Sequence, residues 1–309
     1  FAWDKKTFAA APLERGPEAE ALLGAETPKV CHDLKTTLHL LHDMGLEGEN
    51  FVFDTALAAY DLNPSLGGYD LDRVAGGYLD RVPGPEAADR AGTVLQLKAV
   101  LEPMLRRDGM EKLYTEIELP LCRVLYDMEQ AGIAIDETAL GDFGTMLARR
   151  IEACEKAIYE YAGEEFNINS TKKLGEVLFE KLELPPVKKT KTGYSTNAEV
   201  LEKLKELHPI VPNIMDYRML TKLKSTYADG LMKVIGPDGR IRTTFQNMVT
   251  ATGRLSSTDP NLQNIPVRTE LGSEIRKMFV PREGCVLVDA DYSQIELRVL
   301  AHVADDKLM

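Results

Sequence analysis

"LVDADYSQIELRVLAH", residues 287–302, decides how this chain reads. An apolar, β-branched run carries two aspartates on alternate residues, then passes without a break into a helix-like pattern. "GCVLVDAD" (284–291) predicts a strand, and "YSQIELRVLAHVADDKLM" (292–309) predicts a helix. Side chains alternate faces along a strand, so Asp289 and Asp291 project to the same side. Two carboxylates at a strand end suit a hard cation, because Mg²⁺ takes oxygen ligands and usually only one or two carboxylates. The alternative for Asp291 is helix N-capping. Glu296 has Tyr292, Val299 and Leu300 as helix neighbours. A carboxylate in that company is either functional or paired, to Arg298 or Arg254.

Working upstream, "TATGRLSSTDPNLQNIP" (250–266) is dense in small polar groups. Gly253 lets backbone come close beside Arg254. Asn261, Gln263 and Asn264 carry amides able to read the degenerate acceptors of a DNA minor groove. A well hydrogen-bonded loop is the other reading. Residues 213–235 predict a helix with Arg218, Lys222 and Lys224. "PPVKKTKTGYSTN" (185–197) predicts a loop, the basic tip of an αα-hairpin, which is either solvated or in contact with phosphate.

The earlier chain gives helical spacing over Val30–Leu46 and strand then helix in "NFVFDTALAAYDLNP" (50–64). A helix is predicted over 86–107 after the "VPGPE" loop. In "YTEIELPLCRVLYDMEQAGIAID" (114–136) a helix ends at Gly132 and the β-branched "IAID" follows. A long helix over 137–161 stops at Gly163, and Ser170 or Thr171 starts another. Turn residues at 236–239 precede a β-branched run reaching Thr252. Helices first and a small sheet last predict an α+β, multidomain chain.

At 309 residues the chain has room for two or more domains. Its 44% hydrophobic and 28% charged content is that of a globular protein. No apolar run is long enough to span a bilayer, so no membrane partner is expected. Cys31, Cys122, Cys154 and Cys285 are scattered without a C-x-x-C pair, which predicts small buried residues and a reducing cytoplasm. The opening FAWDKKTF has neither methionine nor apolar leader and predicts a cut inside a longer protein. The net charge of −12 argues against a nucleic-acid partner, but its distribution does not. Residues 1–113 carry 12 basic and 19 acidic side chains, whereas 218–282 carry 11 basic and 5 acidic.

These stretches resemble the bacterial DNA polymerase I family, the family A DNA polymerases. "DYSQIELR" (291–298) matches the family's first polymerase-site motif letter for letter. "TGRLSSTDPNLQNIPVR" (252–268), "YRMLTKLKSTY" (217–227) and "ELPLCRVLYDMEQAGIAID" (118–136) resemble family segments in the right order. The resemblance implies the remnant of a ribonuclease H-like 3′–5′ exonuclease domain over 1–113. A polymerase lead-in and helical thumb would follow over 114–235, and a partial palm of the right-hand architecture over 236–309. It implies DNA synthesis from dNTPs on a primer–template duplex by two-metal Mg²⁺ catalysis, in replication and repair in a bacterial cytoplasm, associated with the nucleoid. Asp291 and the Tyr292 carbonyl would ligate metal, and Glu296 would be the gate against a ribose 2′-hydroxyl. Arg254, Asn261, Gln263, Asn264 and Arg268 would contact DNA, as would Lys222, Lys224, Ser225 and Thr226 on the thumb. Asp289 matches no family carboxylate and receives no role.

The chain departs from the proofreading pattern. A metal-binding Asp position in "HDLKTT" holds Thr37. The Tyr and Asp positions ahead of Leu95-Gln96-Leu97 hold Glu86 and Arg90. The 3′–5′ exonuclease is therefore expected to be inactive. The family's fingers helix and His-Asp-Glu motif would follow Met309, so the isolated chain is expected not to polymerise. Its C-terminal region is expected to be mobile, swapped or paired with another copy. A non-catalytic DNA-binding module is the competing reading.

Overall fold

The computed structural model describes residues 16–190, 193–267 and 269–308. Its N-terminal unit begins with α1 (Pro17–Leu23), β1 (Lys29–Cys31) and α2 (Leu34–Asp43). The helical reading of Val30–Leu46 is corrected here. Val30 pairs with Phe53 in a parallel ladder between β1 and β2 (Phe51–Asp54). Asp33, left-handed at φ 63, turns the chain and caps α2 by accepting from the Thr36 amide. Strand then helix forms as read in "FVFDTALAAYDL": Asp54 ends β2 and caps α3 (Thr55–Leu62). α4 (Leu71–Leu79) and α5 (Ala87–Arg107) complete the unit. Leu57, Val74, Leu97 and Leu101 are fully buried in its core, each leucine contributing about 1.5–3 kcal/mol. Tyr114, Cys122 and Tyr126 enter the same core from the next segment, which therefore packs on the N-terminal unit.

That segment runs through α6 (Glu111–Leu113), a π-helical turn (Tyr114–Glu118) and α7 (Leu119–Ala131). Gly132 ends it at φ 57, where a Cβ would stand 2.7 Å from the Ile241 carbonyl oxygen, so a side chain is excluded twice over. β3 (Ile133–Ile135) follows, then α8 (Glu137–Ala162), capped by Asp136 and closed by Gly163. α9 (Thr171–Glu176) starts at a Ser170 cap and continues through a π-helical turn (Val177–Lys181). The expected loop tip contains an antiparallel pair, β4 (Lys189–Thr190) with β5 (Gly193–Tyr194). α10 (Ala198–Leu204), α11 (Ile210–Leu223), a third π-helical turn (Lys224–Ala228) and α12 (Asp229–Met232) come next. Ile158, Leu174, Leu178, Leu201 and Val211 form a second core.

The last part holds β6 (Arg240–Ile241), β7 (Thr244–Gln246), β8 (Ser256–Thr258), α13 (Glu270–Lys277), β9 (Phe279–Val280) and α14 (Ile295–Ala304). β3 is central between β6 and β9, antiparallel to both, so the "IAI" strand is completed by residues more than a hundred positions later. β7 and β8 form a separate antiparallel pair, Phe245 opposite Ser257. The β-branched run therefore ends at Gln246, short of Thr252. A third core joins Leu140, Leu147, Leu220, Tyr227, Ile241 and Ile275. The strand predicted over 284–291 is corrected: no described strand pairs with it, and without a ladder there is no sheet. Val286, Leu287 and Val288 are 79%, 58% and 85% exposed. The fold is mixed and helix-rich, with small sheets.

Candidate functional site

Arg254 and Glu296 meet in the structure. Arg254 Nη2 lies 3.3 Å from Glu296 Oε1, which joins the 250–266 stretch to α14. Their side chains are 74% and 73% exposed, so the pair contributes about 0–1 kcal/mol and leaves both groups available to a ligand. The apolar setting expected for Glu296 is corrected: Tyr292, Val299 and Leu300 are themselves exposed. Its partner is Arg254, not Arg298. Asp291 does not cap α14; the cap position is Gln294, left-handed at φ 56. Asp291 lies in the irregular segment before it, exposed and without a side-chain partner among the described residues. Tyr292 beside it is 81% exposed. The shared strand face of Asp289 and Asp291 belongs to no sheet.

The loop after β8 is held by its own amides. Asn261 Oδ1 accepts from the backbone of Gln263 at 3.0 Å and Asn264 at 3.2 Å, an Asx-type turn. The Gln263 amide donates to the Leu255 carbonyl at 3.2 Å. Thr250 Oγ1 donates to the Arg254 carbonyl at 2.7 Å. Ser257 Oγ, fully buried, accepts from the Leu262 amide at 3.1 Å. Arg254, Asn261, Gln263 and Asn264 stay exposed on this frame. Arg268 lies outside the described residues.

Tyr227 ties this loop to the helices, donating its buried hydroxyl to the Asn264 carbonyl. It sits on the π-helical turn Lys224–Ala228, a distortion that often marks functional sites. Lys222, Ser225 and Thr226 are exposed around that turn. Lys224 is committed to Asp229, with Nζ 2.7 and 2.8 Å from its two oxygens. Arg218 does not join the exposed cations. It is partly buried and donates to Thr196, through the backbone carbonyl and through Oγ1 at 3.2 Å.

In the N-terminal unit Asp54 is wholly buried. It accepts backbone N–H bonds from Asp33, Leu34, Ala56 and Leu57 at 2.7–3.3 Å. Burial pushes its carboxyl up to about 6, against the pull of those bonds. Thr37 bonds back to the Asp33 carbonyl at 2.8 Å, and Arg90 is paired with Asp72 at 2.9 Å. Glu86 precedes α5 without capping it by its side chain. Asp61 is a group the sequence reading missed. Burial, then the charges of Glu118 and Asp54, raise it to about 7, and its Oδ2 has no hydrogen-bond partner. Glu129 was also missed, although Cys122, Leu125 and Tyr126 at helical spacing mark the buried stripe on which it lies. Burial raises the Cys31 and Cys122 thiols and keeps them protonated, Cys122 at about 12. Cys285 departs from the expected burial and is exposed. Among the described residues no group of three or more His, Cys, Asp or Glu is arranged to hold a metal, and no helix is long and apolar enough to cross a membrane.

Residues 137–309 match the model of DNA polymerase family A. The chain is 46% identical over 296 residues to a DNA polymerase I of Caldicellulosiruptor bescii, covering 93% of this chain and 34% of that protein. It is 46% identical over 314 residues to one of Geobacillus stearothermophilus, covering 94% and 36%. Among solved structures it is similar to the polymerase domain of Pol1 from M. smegmatis, in complex with DNA primer-template and dNTP. That likeness has a TM-score of 0.84 at 42% identity, over 94% of this chain and 53% of that one. The chain thus spans about a third of the length of the curated relatives it matches.

Proposed function

The chain belongs to DNA polymerase family A, and we propose on that premise that its whole protein builds DNA on a template. Nucleotides pass from dNTPs to a primer 3′-hydroxyl, on the chromosome in a bacterial cytoplasm. The observation that carries this reading is the Arg254–Glu296 contact, which makes one exposed site of the two motif-bearing stretches. Residues 1–113 are then an exonuclease-like domain without proofreading, 114–235 the lead-in and thumb, and 236–309 the start of the palm.

In this reading Arg254 leaves Glu296 for the minor groove at the primer end, beside Asn261, Gln263, Asn264 and Arg268. The exchange is inexpensive because the pair is solvent-exposed. Lys222, Ser225 and Thr226 take phosphates of the duplex, Lys224 joins them by exchanging Asp229 for a phosphate, and Glu296, once released, crowds a 2′-hydroxyl. Asp291 and the Tyr292 carbonyl would hold Mg²⁺. One carboxylate and one carbonyl, open to water and phosphate oxygens, fit what that ion takes. Bound there, it would neutralise phosphate charge and acidify the attacking hydroxyl, as in two-metal sites.

Primer extension by the whole protein tests this. Asp291→Ala is expected to abolish Mg²⁺-dependent incorporation, and Glu296→Ala to admit ribonucleotides. Full activity of the Asp291 variant would refute the assignment. For the isolated chain a second reading, a DNA-binding module without turnover, is favoured by the donor set: among the described residues no group of three or more His, Cys, Asp or Glu is arranged to hold a metal. Duplex binding without incorporation by this chain is its expected signature.

A further inference from the structure

Glu129 is a buried carboxylate on α7, 4% exposed, with three donors from two distant parts of the chain. Lys35 Nζ, from α2, donates to Oε1 at 2.8 Å. The Phe245 backbone N–H, from β7, donates to the same oxygen at 2.6 Å. His39 Nε2, also from α2, lies 2.5 Å from Oε2. The Gln130 amide donates to His39 Nδ1 at 3.0 Å, which leaves Nε2 as the nitrogen whose proton faces Glu129. None of these groups belongs to the site described above.

What the cluster holds is the β7–β8 hairpin. Phe245 pairs with Ser257, and Ser257 Oγ fixes Thr243 at 2.6 Å and the Leu262 amide at 3.1 Å. The loop carrying Asn261, Gln263 and Asn264 therefore hangs from the strand β8, which pairs with the strand that Glu129 grips. Two more contacts run the same way. Tyr60, on α3, donates its hydroxyl to the Thr250 carbonyl at 2.8 Å. Asn247 donates to Cys122 Sγ at 3.5 Å. The first half of the stretch between the strands is thus anchored on the N-terminal unit, through Tyr60, and on the helix packed against it, through Cys122.

We infer that the N-terminal unit is the mount of the β7–β8 hairpin, with Glu129 as the positioning residue that sets its grip on a primer end. The inference rests on the DNA-binding reading of that hairpin. A carboxylate is suited to the position because it only accepts, and its two oxygens take three donors at once. The unit then serves polymerisation through its packing, whatever its nuclease history.

Two double variants of the full chain separate this from a general structural role. Lys35→Met with Glu129→Met removes both charges together, a replacement that buried pairs often tolerate, and leaves the Phe245 N–H without an acceptor. Lys35→Met with Glu129→Gln also removes both charges but returns an oxygen to Phe245. The Met variant is expected to speed amide exchange over 243–264 by roughly tenfold and weaken primer–template affinity several-fold. The Gln variant is expected to recover most of both. Equal behaviour of the two variants would overturn the inference, as would faster exchange with unchanged affinity. The exchange measurement needs no DNA. A wild-type chain that fails to bind duplex would therefore sink the functional reading separately from the mount.

Discussion

Asp61 shows how a single side chain can set a pH dependence that no motif announces. Half-buried, with one oxygen unpartnered and Glu118 nearby, its carboxyl is raised to about 7 from an ordinary 3.8. Between those values the folded protein keeps a proton that the unfolded chain has released. Stability therefore falls as pH rises from about 4 to about 7, and levels off above. Asp54, raised to about 6, adds in the same direction. Asp61→Asn stays neutral throughout. Urea unfolding at pH 5 and pH 8 should show a smaller loss in the variant than in wild type, and an equal loss would contradict the assignment. The contrast with Glu296 is instructive at this scale. Its sequence neighbours are apolar, yet they are exposed, so among the described residues its restraint is the Arg254 ion pair.

Among the elements, the π-helical turn Lys224–Ala228 does the most to connect fold and site. An inserted residue in the helical spiral lets Tyr227 point into the third core and reach the Asn264 carbonyl, while Lys222, Ser225 and Thr226 stay in water. Tyr227→Phe keeps the ring and loses only that bond. It should cost about 1 kcal/mol and loosen amides 261–264, measured by chemical denaturation and hydrogen exchange. A variant as stable as wild type with an unchanged loop would show that the bond contributes nothing. Local signals predicted most elements well, because caps such as Asp54, Asp136 and Ser170 are visible in sequence. They failed where pairing decides. Val30 looks helical by spacing but is claimed by the ladder to Phe53. "GCVLVDAD" has strand composition but no strand beside it. π-Helical turns leave no trace in a 3.6-residue period.

Across the whole molecule, the second core lies in sequence between the two parts of the third, and the motif-bearing region touches the first core through Met248 and the third through Leu262 and Ile265. The candidate residues were legible because their types and spacing stand in the sequence: Arg254 beside a glycine, amides in "NLQN", cations in "KLK". Their mounting was not. Lys35, Glu129 and Phe245 lie as many as 116 positions apart in their contacts, and nothing local links them. The charge pattern carries the same lesson, since a total of −12 hides the basic segment 218–282. If that segment grips phosphates, binding must release counterions, whatever the total charge. The most direct test is the affinity of the 309-residue chain for a primer–template duplex, measured by fluorescence anisotropy from roughly 50 to 200 mM salt. The account predicts saturable binding that weakens steeply and log-linearly with salt, with a slope reduced by about 1 in Lys222→Ala. Absence of saturable binding at the low end, or affinity indifferent to salt, would contradict it.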